Sequence, residues 1–388
     1  MRLIEKSFFI ATHVYATGPA FKLEEYLVER NIPLLIFIGH PFSYAEDTRS
    51  FLRIYKEGSL ILEKKFIYWG GPDFGFYVKD LLLTIWWGVF YVRYTRKIDY
   101  FVGVDNLNAF AGYILQKIGI VKSLIFYTID YIPIRFENRI LNRIYHFLDS
   151  FAVKKSDKVW NLSSIMADQR EKRGMERKYK FKQIQVPIGT DLSTKPLPFS
   201  KIDKYKIVFM GHLRKGQGVD LLINAMEEVV RKIPKAYLMI IGGGPLEEEY
   251  RRMVKQKRLE KHIIFSGFVK DFLDVKKLLS DAAVAVAPYV DDSTTYTRYT
   301  DPGKPKDYIA NGIPVIITKV PQVAFEIEKN KCGFAIDYDK KQLVNTLIKV
   351  LSNSKLQSDM RFNALKMAKR YTWEKIFSKA LGETIENN

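Results

Sequence analysis

The sequence predicts an α/β protein of two doubly wound parallel-sheet domains. Three observations carry that prediction. Short β-branched and aromatic runs alternate with amphipathic stretches, the pattern of a parallel sheet covered by helices on both faces. The alternation breaks once, over 187–204, where the chain is rich in Pro, Ser and Thr and lacks periodicity. It then restarts. The length of 388 residues suits two or three domains of about 150 residues. Hydrophobic residues make up 47%, enough for sizeable cores.

The start, MRLIEKSFFIATHVY, places Glu5 and Lys6 where a signal peptide needs an unbroken apolar core. It reads as a first strand, SFFIATHV. IPLLIFIG, DYFVGVD, SLIFYTID and KVWNLS follow as buried strands, with amphipathic AFKLEEYLVER and NAFAGYILQKIG between them. The most apolar window, LLLTIWWGVFYV at 81–92, falls short of the roughly 20 residues that span a bilayer. A buried helix fits it. So does an aromatic-rich surface resting on a membrane, since Arg93, Arg96 and Lys97 follow at once.

After the break the second half is cleaner. KIVFMG, AYLMIIGGG, HIIFSGF, AAVAVAPY, the apolar end of PGKPKDYIANGIPVIIT (302–318) and CGFAID read as strands. DLLINAMEEVVRKI, LEEEYRRMVKQKR and DFLDVKKLLSD read as the helices between them. A last helix, TWEKIFSKAL, lies beyond this domain and is placed to cross back to the first. The expected boundaries are 1–186, a linker at 187–204, 205–371, and a terminal helix at 372–388.

Net charge is +19, spread over both halves, with a local concentration in REKRGMERKYKFK at 170–182. A basic surface suits anionic partners. Zinc-finger spacing, RNP-like aromatics and basic heptads are all lacking, so nucleic acid is not expected. Anionic lipid headgroups and sugar phosphates fit better. The single cysteine, Cys332, forms no intrachain disulfide and suits a reducing compartment.

Ligands of open α/β sheets bind beyond the carboxyl ends of the strands. Three loops of the second half qualify. GHLRKGQG (211–218) joins a strand to a helix. Its glycines admit a ligand close to the backbone, and Arg214 and Lys215 add positive charge, a combination suited to a diphosphate. The same pattern also serves turns that bind nothing. GGGP (242–245) reads as a tight turn with Pro245 opening a helix. In 302–318, Asp307 is placed to accept from vicinal hydroxyls such as those of ribose, with Lys304 facing phosphate. An acidic residue favourable near a helix start, beside solvated lysines, gives the same pattern.

The order of these pieces resembles the donor domain of GT-B glycosyltransferases, especially family 4 (glycosyl transferases group 1). The resemblance covers about 205–375 and rests on IVFMGHLRKGQGVDLLINAM, IIGGGPLEEEY, IIFSGFV, APY, PGKPKDYIANGIPVI and the YTWEKI helix. It implies two Rossmann-like domains facing a cleft, the first binding the acceptor and the second a nucleotide-diphosphate sugar. By position, Asp307 stands where the family's glutamate holds ribose. Lys304 and Gly303 stand where donor phosphates are approached, Phe268 and Val269 by the base, and Gly211 under the diphosphate. The chain departs from the family where Tyr299 replaces the first glutamate, with Asp301 two residues on. His212 and Gln217 replace the family's arginine and lysine, and Arg214, Lys215 or Arg298 is placed to supply the charge.

In the first half, Asp130 follows a buried strand near the spot of the family's histidine. It suits a general base for an acceptor hydroxyl, a sugar-binding carboxylate or a loop cap. Thr17 and Gly18 resemble the family's glycine-containing loop on the acceptor side. His13 and His40 end strands, where a packed or solvent-facing histidine is the commoner outcome. The resemblance implies a metal-independent glycosyltransferase that needs no cofactor and acts on a lipid-linked or saccharide acceptor. It is expected in the cytoplasm, peripheral at the inner face of the cell membrane. A GT-B scaffold without turnover and a nucleotide-sugar epimerase remain the alternatives, separated by transfer assays and product analysis.

Overall fold

Parallel pairing dominates both halves of the chain. The computed structural model describes residues 3–14, 18–42, 44–45, 47–66, 73–92, 97–192, 196–292 and 296–385. Two units form, one from Met1–Pro187 with Trp373–Asn388 and one from Ile188–Thr372.

The first unit holds β1 (Ser7–Val14), β2 (Leu34–Pro41), β3 (Phe51–Lys56), β4 (Ser59–Lys65), β5 (Ile98–Val104), β6 (Val121–Thr128), β7 (Lys158–Asn161) and β8 (Gln183–Gln185). Their order is β4-β3-β2-β1-β5-β6-β7-β8. β2, β1, β5, β6, β7 and β8 pair in parallel; β3 runs antiparallel to both β2 and β4, so the β3–β4 hairpin closes one edge. Sequence reasoning overlooked that hairpin. Glu57 and Gly58 make its turn at positive φ. β1 is central and apolar because both its faces are covered; Phe8, Phe9, Ile10 and Ala11 are fully buried. The chain leaves β1 for β2 on one side, while β5 takes the other flank. The strand order therefore reverses between β1 and β5.

The window 81–92 lies in helix Asp73–Val92 and divides its residues. Leu83, Ile85, Trp87 and Tyr91 pack on the core. Leu82, Trp86, Val89 and Phe90 are exposed. Arg93 and Arg96 lie outside the described residues. Helix Trp373–Ile385 belongs to the first unit, where Trp160 Nε1 donates to Thr384 Oγ1 at 3.1 Å and Phe377 packs edge-on to Tyr26.

The second unit is a sheet of β9 (Asp203–Met210), β10 (Tyr237–Ile241), β11 (Ile263–Gly267), β12 (Ala282–Ala287), β13 (Val315–Thr318) and β14 (Gly333–Ile336). Its order is β11-β10-β9-β12-β13-β14, all parallel. Helix Val219–Lys232 buries Leu222, Met226 and Val229 at helical spacing against Phe209, Leu238 and Ile240. The stretch expected as a linker is tied to this unit. Ile188 N–H donates to Asp301 Oδ2 at 2.6 Å, Thr190 bridges Thr372, and Arg361 donates to the Leu197 carbonyl. Lacking side-chain periodicity, it is held by its backbone groups.

Candidate functional site

At the carboxyl ends of β9, β10 and β11, three loops are joined through their backbones. Gly211 N–H donates to the Ile241 carbonyl (2.8 Å), Leu213 N–H to Gly243 (2.9 Å) and Gly242 N–H to Gly267 (3.0 Å). The GGGP turn thus supports the loop at 211–218. That loop ends at Gly218, φ +67, which caps helix Val219–Lys232; a Cβ there would collide with the Pro288 carbonyl.

Lys304 opens helix Lys304–Ala310 and lies over Gly211, where a Cβ would strike its ammonium. Its Nζ hydrogen-bonds Gln217 Oε1 and sits 5.2 Å from the Phe209 ring centre and 5.8 Å from that of Tyr289. Among the described residues no carboxylate pairs with it. Burial, reinforced by the Arg214 charge, pulls its pKa down to about 7. Arg214 itself is exposed and bonded to the Tyr296 hydroxyl, with the guanidinium 5.0 Å from that ring. His212 and Lys215 are exposed on the same loop.

Asp307 lies one helical turn after Lys304 and accepts from Thr190 Oγ1 at 2.9 Å. Burial pushes its carboxyl up to about 6, against the pull of that bond and of Lys276. The helix is moored by Tyr308, whose hydroxyl accepts from Met210 N–H at 2.7 Å. Lys306 plays a different part. Fully buried, it pairs with Asp301 and donates to the Ile188 carbonyl at 2.8 Å. Gly303 precedes the helix. Phe268 is 80% exposed beyond β11, beside Gly243, and Val269 follows it. Arg298 is paired with Asp291.

In the first unit, Asp130 lies just past β6, half-exposed and paired with Arg135. Gly18 caps helix Pro19–Val28; Thr17 lies outside the described residues. His13 and His40, at the ends of β1 and β2, join a cluster. His13 Nδ1 is 2.6 Å from Asp105 Oδ2, and its Nε2 is 3.3 Å from Asp80 Oδ2. His40 Nδ1 is 3.2 Å from Asp80 Oδ1 and 2.9 Å from Ser50 Oγ. Burial alone would lower the His13 pKa; the carboxylates of Asp105 and Asp80 override it and raise it to about 10. Buried His40 goes the other way and stays neutral. Among the described residues no group of three or more His, Cys, Asp or Glu is placed to hold a metal ion.

Residues 198–367 match the family described as Glycosyl transferases group 1. The second unit is a glycosyl transferases group 1 domain. The chain is similar to the chitobiosyldiphosphodolichol beta-mannosyltransferase of Debaryomyces hansenii, 24% identical over 198 residues. The match takes 48% of this chain and 41% of that one, so the chain spans less than half of this curated relative. Two solved structures share the whole fold. Sucrose-phosphate synthase from Thermosynechococcus elongatus superposes with a TM-score of 0.71 at 15% identity, covering 98% of this chain and 99% of that one. Anabaena HepE in complex with UDP-glucose gives 0.69 at 14%, covering 98% and 100%. The fold is GT-B, two Rossmann-like parallel-sheet domains.

The glycosyl transferases group 1 domain brings Gly211, Lys304 and Asp307 into one neighbourhood. Sequence reasoning missed three supports of that site: Thr190 on Asp307, Gln217 on Lys304, and Tyr308 on β9. Each partner is remote in sequence, so no local pattern announces it. It also left His13 and His40 unassigned, since Asp80 and Asp105 meet them only through the sheet order.

Proposed function

We propose that the chain transfers a sugar from a nucleotide-diphosphate donor to a hydroxyl of a lipid-linked or saccharide acceptor, without a metal ion. The acceptor oxygen bonds to the anomeric carbon while that carbon's bond to the diphosphate oxygen breaks. The electron pair leaves with the nucleoside diphosphate, and the hydroxyl proton passes to Asp130. The observation that carries this reading is Lys304. A desolvated ammonium with no carboxylate partner is unfavourable unless an anion completes it. A diphosphate over the Gly211 loop does so, with Arg214 and the amides at the start of helix Val219–Lys232 sharing the growing charge. Asp307 then takes the ribose hydroxyls, and Gly303, Phe268 and Val269 border the nucleotide. A solved relative crystallised with UDP-glucose supports such a donor. A relative named for a diphosphodolichol substrate supports a lipid-linked acceptor.

Calorimetry with UDP and GDP tests this reading. One of them is expected to bind, and Asp307→Ala to weaken it about tenfold or more, the scale of a lost hydrogen bond to a charged group. An unchanged affinity in that variant removes the ribose assignment.

The second reading is a scaffold that binds donor without turnover. Tyr299 favours it, because the nearby Asp301 is committed to Lys306 and does not replace the family's first glutamate. Nucleotide binding with no release of nucleoside diphosphate from any sugar nucleotide would decide for it.

A further inference from the structure

We propose that the hydroxyl of Tyr289, just past β12, donates a hydrogen bond to a phosphoryl oxygen of a nucleoside diphosphate held by Lys304. The inference rests on the donor reading above. It adds a neutral group that shares the diphosphate with the ammonium.

The hydroxyl is buried without a partner. Tyr289 is 3% exposed, and its Oη makes no hydrogen bond. Tyr308 and Tyr371, buried around the same helix, are both satisfied: Tyr308 Oη accepts from Met210 N–H at 2.7 Å, and Tyr371 donates to Glu326. Among the described residues of the second unit, the other buried side-chain atoms without a partner are Gln357 Oε1 and Thr297 Oγ1, the latter on the turn Tyr296–Arg298 whose Tyr296 holds Arg214. Looseness does not explain Tyr289. Its carbonyl accepts from Thr318 Oγ1 at 2.7 Å, and its N–H donates to the Ala287 carbonyl at 3.0 Å. Phenylalanine would fill the same space without burying an unpaired hydroxyl, which is unfavourable. The oxygen therefore serves something other than the fold.

The surroundings select what it serves. Lys304 Nζ lies 5.8 Å from the Tyr289 ring centre, and the ammonium bonds Gln217 Oε1 and not Tyr289. Burial pushes the Tyr289 pKa well above the usual tyrosine value, so the hydroxyl stays protonated and able to donate. A phosphate, with several acceptor oxygens, takes a hydrogen bond from each of two such neighbours. A neutral donor suits this place. Arg214 already lowers the Lys304 pKa by its charge, and a third cation would lower it further. Gln217 is the group that yields to the phosphoryl oxygen. It stands between Gly216 and Gly218, both at positive φ, on the loop that meets the diphosphate.

Tyr289→Phe removes that one oxygen and tests the inference in the full-length protein. UDP and GDP are titrated by calorimetry over a range of pH, and thermal unfolding is followed without ligand. The variant should melt no lower than the parent, because it loses an unpaired buried group and no bond. It should bind whichever nucleotide the parent binds about tenfold more weakly or worse, the scale of a hydrogen bond to a charged group. The loss should be equal at every pH, since a hydroxyl that stays protonated adds no titrating step. Affinity equal to the parent's overturns the inference and leaves the donor reading standing. A loss confined to the alkaline side shows that Tyr289 acts only through Lys304, and overturns the contact. A lower melting temperature, or failure to fold, shows that the hydroxyl serves the fold and overturns it too. No binding of UDP or GDP by the parent strikes the donor reading itself, and this inference with it.

Discussion

Lys304 and Asp307 make opposite demands on pH. With its pKa near about 7, Lys304 loses its charge as pH rises through that value, yet a diphosphate calls for the ammonium. Donor binding above pH 7 must therefore take up a proton, and affinity falls by up to about tenfold per pH unit. Asp307, with a carboxyl near about 6, must be ionised to accept from ribose hydroxyls, so affinity also falls as pH drops below 6. Donor affinity should peak between the two values. Calorimetry with UDP-glucose and GDP-mannose is the suitable check, because a diphosphate diester does not itself titrate there. Lys304→Met should remove the alkaline limb and Asp307→Asn the acid one. A flat profile in the parent protein would refute both roles. The two residues were legible in the sequence because they share one short helix. The surroundings of their charged groups were not, since the chain delivers Phe209, Tyr289 and Gln217 to Lys304 and Thr190 to Asp307 from elsewhere.

Among the elements, helix Arg139–Lys155 has the clearest surface logic, and sequence reading passed over it in favour of 81–92. No long apolar run marks it. Its apolar residues fall instead at helical spacing: Ile140, Ile144 and Phe147 are exposed on one face, Leu141 lies beside them, and Ile134 and Phe136 precede the helix. Arg139 and Arg143, one turn apart on the helix, are exposed next to that face; Arg135 and Glu137, also exposed, precede the helix. Arg135 is paired with Asp130, whereas Arg139 and Arg143 have no carboxylate partner among the described residues. That is the pattern of a helix lying in an anionic membrane interface. No helix among the described residues is long and apolar enough to cross one. Co-sedimentation with vesicles containing phosphatidylglycerol should show binding that salt weakens. Replacing Ile144 and Phe147 by Asp should reduce it more than tenfold, because each buried side chain of this size contributes about 1.5–3 kcal/mol. Equal binding by the double variant would rule this face out.

At the scale of the molecule, the sequence reading captured the β–α alternation and the restart after the break, because a parallel sheet buried on both faces writes itself as apolar runs. It did not capture the edge hairpin, where β3 alternates between buried and half-buried residues and the outermost strand β4 is almost wholly exposed, so neither writes a long apolar run. The chain returns to its first unit at Trp373, and this gives a sharp test. The sequence has five tryptophans, none in Ile188–Thr372; the four among the described residues, at 86, 87, 160 and 373, lie in the first unit. Indole fluorescence therefore reports one unit and nucleotide binding the other. Ending the chain after Thr372 removes the buried Ile376, Phe377, Leu381 and Ile385 and strips Trp160 Nε1 of its partner. At about 1.5–3 kcal/mol for each apolar side chain, the loss rivals the roughly 5–15 kcal/mol that holds a whole domain folded. The truncated protein, which also loses Trp373, should show red-shifted emission from its remaining tryptophans and no cooperative transition in that emission, while its UDP or GDP affinity stays within about threefold of the parent, since Lys304, Asp307, Thr190 and Gln217 all remain. A native emission spectrum with a sharp melt would show that the first sheet stands without its returning helix. Loss of nucleotide binding would place a donor contact outside the second unit.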